Sequence, residues 1–161
     1  MKDVKILIVY DSKTGNTEKM ASAVEAGVKK VDSADVVTKR VDETVLDDLL
    51  DAHGIIIGSP TYYGLMSAKV KELFDASVKI HGKLEGKVGA AFTSAGGTAT
   101  GAETTLFSIL EAMLVHGMII QGRSGNKHYG IAGVGAPDEK TVQLCEELGE
   151  RTAILAKKIL H

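Results

Sequence analysis

The run Val4-Lys5-Ile6-Leu7-Ile8-Val9-Tyr10, followed after Asp11 by Ser12-Lys13-Thr14-Gly15-Asn16-Thr17, decides the fold. Its apolar residues are nearly continuous, the pattern of a parallel strand buried on both faces. The chain then turns. A helix follows, with Met20, Val24, Val28 and Val31 at helical steps and Glu18, Lys19, Glu25, Lys29 and Lys30 around the rest of the turn. The first N–H groups of a helix have no intrahelical partner, and here they face the space beyond the strand's carboxyl end. Such a turn suits an anion.

Helix capping would explain one hydroxyl or amide residue in the turn. Four of the six positions carry one (Ser12, Thr14, Asn16 and Thr17), and Gly15 removes a Cβ where backbone must turn sharply or approach a ligand. No GxxxxGK[ST] run is present, so a lysine-assisted triphosphate cradle is unsupported. Hydroxyls and backbone amides without that lysine point to a terminal monophosphate.

The remaining chain repeats this strand–loop–helix unit. Residues 34–41 alternate and carry charge, as in an edge strand, and a short helix is predicted from Val45 to Leu50. His53 to Gly58 reads as a buried strand that ends in Ser59-Pro60-Thr61-Tyr62-Tyr63-Gly64. A helix from Lys69 to Val78 turns Val70, Leu73 and Phe74 inward. Lys87 to Phe92 is the next core strand, emptying into Thr93-Ser94-Ala95-Gly96-Gly97-Thr98-Ala99-Thr100-Gly101. Glu103 to Val115 is helical and stops at His116-Gly117. Met118 to Gln121 is the last expected strand, Gly122 to Ala136 an irregular loop, and Pro137 opens a closing helix to about Leu160. Strands and helices thus alternate five times. The expectation is α/β: one doubly wound five-stranded parallel sheet with right-handed crossovers and helices on both faces.

The chain has 161 residues, enough for a single domain spanning residues 1–161. A net charge of −2 and 44% hydrophobic residues give no sign of a nucleic-acid partner or of disorder. The apolar opening run is too short to cross a membrane, and a soluble cytoplasmic protein without membrane insertion is expected. Cys145 is the only cysteine. With Val142, Leu148, Thr152, Leu155 and Ile159 it falls on the inward stripe of the last helix, as a core thiol. The five histidines show no ligand spacing, so no metal site is expected. A phosphoacceptor receiver domain would need clustered acids after the first strand and an aspartate at the end of the third. Asp11 stands alone, and that strand ends in Gly58-Ser59. Residues 130–135 lack the GxGxxG order of a dinucleotide loop.

In open parallel sheets, ligands bind beyond the strands' carboxyl ends, where strand order reverses. If strands one, three and four are neighbours, loops 12–17, 59–64 and 94–101 open on one edge. The first takes a phosphate. The second offers Pro60, Thr61 and Gly64 backbone and the faces of Tyr62 and Tyr63 for a flat heterocycle. The third, with Ser94, Ala95, Gly96, Gly97, Thr98 and Ala99, offers N–H groups and little bulk. Together they describe a phosphate that carries a planar ring.

These motifs resemble the flavodoxin-like FMN proteins, and more closely the WrbA-type NAD(P)H:quinone oxidoreductases. Residues 12–17 match the flavodoxin phosphate loop. Residues 59–64 resemble the PTRFG loop of the WrbA branch, with Tyr62 and Tyr63 where that motif has Arg and Phe. Phe92-Thr93-Ser94-Ala95-Gly96-Gly97 resembles its third loop, and His116-Gly117-Met118 with His128-Tyr129-Gly130 resembles its HGM and PYG elements. The resemblance spans nearly the whole chain. It implies strand order 2-1-3-4-5, the known flavodoxin order and the standard illustration of the switch-point rule, with FMN at the switch.

It also implies an FMN-dependent oxidoreductase that passes electrons from NAD(P)H to a quinone-like small molecule, with His116 as the catalytic residue. The alternative is a flavodoxin-type carrier between redox proteins. Two departures matter. The chain is brief between Val41 and His53, where WrbA proteins carry an insertion that helps assemble tetramers. Loop 94–101 lacks the tyrosine that flavodoxins commonly lay on the ring's outer face. A homo-oligomer is expected, with loop 122–136 reaching an adjacent site.

Overall fold

The structure is a computed structural model describing residues 3–160. Strands β1 (Val4–Tyr10), β2 (Ala34–Arg40), β3 (Gly54–Pro60), β4 (Val88–Ala95), β5 (Ile119–Ile120) and β6 (Ile131–Val134) form one sheet. Its order is β2-β1-β3-β4-β5, with β6 also paired to β4, and every pair is parallel. The crossovers are α1 (Asn16–Val28), α2 (Leu46–Asp51), α3 (Ala68–Ala76) and α4 (Ala102–Val115), and α5 (Glu139–Leu160) closes the chain.

Successive residues of the central strands feed two separate cores. Leu7, Val9, Ile55 and Ile57 pack with Leu49, Val70, Leu73, Leu106 and Ile109 from α2, α3 and α4. Ile6, Ile8, Ile56 and Phe92 pack on the other face with Met20, Val24, Leu144, Cys145 and Ala153 from α1 and α5. Both faces are therefore apolar, and β1 shows no hydrophobic alternation.

The α1–α5 contact is unusually close. A Cβ at Gly27 would lie 1.8 Å from the Glu146 carbonyl oxygen, and one at Gly149 would lie 2.1 Å from that of Val24. Gly149 belongs to the buried row Leu144, Cys145, Gly149, Thr152, Ala153 and Ala156. Ile159, expected on that row, is 46% exposed. Cys145 is fully buried, and burial pushes its thiol up to about 12, which leaves it unreactive.

Two expectations about the last strands need correction. The region 118–121 supplies only two strand residues, which pair with Val88 and Gly89. The expected loop 122–136 contains β6, whose residues pair with Phe92 to Ala95. Strand position five is thus filled in two pieces along β4, and only residues 121–130 leave the sheet. The segment Ile131-Ala132-Gly133-Val134 carries little strand signal because Gly133 sits where a side chain would press on Met20 and Thr141. β4 also runs on to Ala95, so Ser94 and Ala95 are strand residues. Among the described residues, no helix is long and apolar enough to cross a membrane.

Candidate cofactor site

Beyond the carboxyl ends of β1, β3 and β4 the three loops meet. Asp11 leaves β1 by donating its N–H to the Gly58 carbonyl at 3.1 Å, and Ser12 is buried. The Ser12 hydroxyl accepts the Gly15 N–H at 3.1 Å, which closes the turn on itself. Gly15 is the N-cap of α1 with φ 95, and no side chain caps the helix there. A capping role for the loop's polar residues is therefore not realised at the cap. The first ladder bond is Lys19 N–H to the Gly15 carbonyl at 3.1 Å, so the Asn16, Thr17 and Glu18 N–H groups precede it. A Cβ at Gly15 would meet nothing within 4 Å, so the space beside the loop is open.

The second loop is fixed by a relay of hydroxyls. Thr93 Oγ1 donates to the Ser59 carbonyl at 2.7 Å, which leaves Thr61 Oγ1, 2.8 Å away, as donor to Thr93. The Thr61 N–H reaches the Ser94 carbonyl at 2.8 Å. Tyr62 and Leu65 exchange backbone hydrogen bonds of 3.1 and 3.0 Å around Tyr63 (φ 50) and Gly64 (φ 75). Two positive φ angles define a type I′ turn, in which tyrosine at the first position carries strain of about 1 kcal/mol. Tyr62 lies in the cleft, with Lys13 Nζ 5.3 Å from its ring centre. Burial and the neighbouring Asp11 carboxylate push its phenol above the usual value, so the hydroxyl keeps its proton.

The third loop begins after buried Ser94 and Ala95 and is closed by Thr100 Oγ1, which donates to the Gly97 carbonyl at 2.8 Å. A Cβ at Gly101, the α4 N-cap, would sit 2.5 Å from Gly64 Cα, so the second and third loops touch backbone to backbone.

The structure brings Ser12, Lys13, Thr14, Asn16 and Thr17 together with Pro60, Thr61, Tyr62, Ser94, Ala95 and Gly96 around one cleft of about 160 Å³. That is below the roughly 300–1,000 Å³ of pockets that enclose a whole drug-sized ligand, so the cleft can take a phosphate and chain while a ring lies at its mouth. Gly15 makes the turn at the α1 N-cap without lining the cleft. Tyr63 stands wholly exposed at the turn tip, outside the cleft lining, and Gly64 buttresses Gly101. Gly97, Thr98 and Ala99 continue past the cleft, Ala99 with φ 56.

Gly135 also lines the cleft, its N–H donating to the Ala95 carbonyl at 2.9 Å. Sequence reasoning passed over it because residues 130–135 read as the end of a loop. The available signal was the glycine directly after the Ile131–Val134 segment.

His116 requires a correction. It ends α4, the Gly117 carbonyl accepts the Gly86 N–H at 3.0 Å, and Ile119 pairs with Val88 at the start of β4. It therefore lies at the amino ends of the strands, the opposite end of the sheet from the cleft, because a crossover helix that begins above the sheet must finish below it. Within one chain it cannot touch a group bound by loops 12–17, 59–64 and 94–101.

There it is buried and tied to α3's extension. Ser77 Oγ donates to the Phe74 carbonyl at 2.6 Å, so it accepts from His116 Nε2 at 2.7 Å. The neutral tautomer with Nε2–H follows, and buried Nδ1 has no hydrogen-bond partner among the described atoms. Burial, then the nearby His81, hold the imidazole's pKa below the usual 6.5. The unfolded chain thus binds a proton near 6.5 that the folded chain resists. This contribution to stability is complete above the unfolded pKa and falls as pH drops through it toward the folded value. His116→Gln should flatten the decline in the urea midpoint between about pH 7 and pH 5. An unchanged decline would contradict the assignment.

A parallel sheet with an uncapped helix N-terminus, an aromatic turn and a glycine loop on one edge defines the doubly wound proteins that hold a phosphate-bearing planar cofactor. Residues 37–127, more than half of the chain, match the family described as NADPH-dependent FMN reductase. The chain is 39% identical over 157 residues to a flavodoxin of Aquifex aeolicus, covering 92% of this chain and 85% of that one. It is 36% identical over 190 residues to an NAD(P)H dehydrogenase (quinone) of Archaeoglobus fulgidus, covering 96% and 98%. The WrbA-like flavodoxin of Agrobacterium tumefaciens superposes with a TM-score of 0.84 at 25% identity, over 97% of this chain and 99% of that one. The chain belongs to the NADPH-dependent FMN reductase family, as an FMN-binding oxidoreductase of flavodoxin-like fold.

Proposed function

We propose that the protein passes electrons from NAD(P)H to a quinone-like small molecule through FMN held in the three-loop cleft. One observation carries this reading: the third-loop wall that begins at Gly96 in the cleft and runs on past it through Gly97, Thr98, Ala99 and Thr100 is made of small residues, exposed apart from half-buried Gly97. No aromatic side chain belongs to that wall, so a second flat molecule has room beside a ring lying there. The uncapped N–H groups of Asn16, Thr17 and Glu18 and the hydroxyls of Ser12, Thr14 and Thr17 are the donors for the phosphate. Tyr62 offers a ring face and a protonated hydroxyl at the mouth, and Ser94 to Gly96 bring backbone close. FMN, when bound, supplies hydride acceptance and two-electron delivery. The chain's part is to anchor, orient and leave one side accessible.

His116 is given no chemical role toward the cleft of its own chain. Exposed Leu114 and Val115 on α4, with partly exposed Phe107 tilted at 47° against Tyr129 (ring centres 4.4 Å apart), leave apolar surface along α4. This supports a homo-oligomer, and a monomer by light scattering with flavin retained would remove that part of the proposal.

A carrier is the second reading, because the Aquifex aeolicus relative and one from Clostridium saccharobutylicum, 37% identical over 161 residues, are flavodoxins by name. Turnover separates the two. The reductase reading expects quinone-dependent NAD(P)H consumption by the FMN-loaded protein. If only an iron–sulfur protein or another low-potential donor reduces it, the carrier reading holds instead.

A further inference from the structure

Arg40 closes β2 in register with Tyr10, so its side chain starts beside the end of β1, behind the phosphate loop. Its guanidinium makes three contacts at once. Nη2 donates to the Ser12 carbonyl, Nη1 donates to Glu18 Oε2 at 3.0 Å, and Cζ lies 5.4 Å from the centre of the Tyr10 ring. Ser12 and Glu18 stand at opposite ends of the loop. The Ser12 hydroxyl receives the Gly15 N–H, and Glu18 belongs to the first turn of α1.

Glu18 is a liability for an anion site. A carboxylate in the first turn is favourable toward the helix dipole, but it repels a phosphate approaching the same N–H groups. We propose that Arg40 is the positioning residue of the phosphate loop, its planar fork fixing Ser12 and Glu18 together and neutralising the first-turn carboxylate that stands beside the helix N–H groups the phosphate would use. This rests on residues 12–17 being the phosphate loop.

The fork geometry matters: a lysine ammonium is a point charge on a flexible stem and cannot hold a carbonyl and a carboxylate in one plane. The fold has little need of the contact. Arg40 and Glu18 are 37% and 51% exposed, the range in which an ion pair contributes little stability, and β2 is already paired with β1 along seven residues. The effect of Arg40 therefore falls on the ligand's phosphate.

The test is titration of the apoprotein with FMN and with riboflavin, which lacks the phosphate. Arg40→Met should weaken FMN binding about tenfold and riboflavin binding by less than about twofold. Arg40→Lys should recover only part of the loss, and Glu18→Gln placed in the Arg40→Met background should restore another part. The urea midpoint of the apoprotein reports folding, and should Arg40→Met not fold, the partial loss in Arg40→Lys carries the test. Unchanged FMN binding in Arg40→Met, equal losses for both ligands, or full recovery by lysine would overturn the proposal. A wild-type protein that binds riboflavin as tightly as FMN would instead overturn the phosphate-loop reading beneath it.

Discussion

Gly15→Val is expected to reduce FMN affinity by about a hundredfold or more while the apoprotein still folds. Gly15 has φ 95, a conformation that a β-branched residue tolerates poorly, at a cost of about 1–2 kcal/mol. Relief of that strain must rotate the peptide units on either side. Those units carry the Gly15 N–H, bound to Ser12 Oγ, and the Gly15 carbonyl, which starts the α1 ladder. Rotating them re-aims the Asn16 and Thr17 N–H groups, and each charge-assisted hydrogen bond lost to a phosphate costs about 1.5–3 kcal/mol. A Cβ at this position would meet nothing within 4 Å, so the substitution acts through the backbone angle and not through a clash at the Cβ. Calorimetric FMN titration and the melting temperature of the apoprotein give the two numbers. A variant with wild-type FMN affinity would mean that the loop is not the anchor.

The second large effect is on stability. Gly149→Ala should destabilise the protein by about 2–3 kcal/mol, although alanine in a helix interior is normally favoured over glycine by about 1 kcal/mol. The reversed sign is the diagnostic. An added Cβ would lie 2.1 Å from the Val24 carbonyl oxygen, backbone that cannot move without displacing α1. Gly27→Ala meets the reciprocal obstacle at Glu146, 1.8 Å away. Because one outward shift of α5 relieves both clashes, the double variant should cost less than the sum of the two. Urea unfolding of the three variants measures this, and stabilisation by Gly149→Ala would show that the helices are not in backbone contact. Since α1 begins at the proposed phosphate loop, its seating on α5 also fixes the helix whose first N–H groups would meet the phosphate.

The parts of this arrangement legible in the sequence were those encoded locally. The apolar run into Ser12–Thr17 declares strand, turn and helix, and the glycines and tyrosines of the next two loops fall directly after strands. Long-range geometry was less accessible. Residues 131–134 form a strand only because the end of β4 offers an edge, and with Gly133 in the middle the segment carries little strand propensity of its own. Tyr62 and Tyr63 are adjacent and alike in sequence, yet a type I′ turn sends one into the cleft and the other into solvent. Arg40 left one faint signal, a cation at the end of the strand neighbouring β1. His116 was misplaced for a different reason: its local motif resembled a flavin-site element, while the direction of α4 puts its end on the far side of the sheet. Topology outranks a short motif there.

The proposed reaction requires that this cleft hold FMN with one side open to a small second substrate. The most direct measurement is an anaerobic titration of the FMN-loaded protein with NADPH and then with a soluble benzoquinone. One equivalent of NADPH is expected to bleach the flavin absorption and one equivalent of quinone to restore it, with no protein partner present. Flavin that stays oxidised under excess NADPH and NADH, yet is bleached by a low-potential donor, would contradict it.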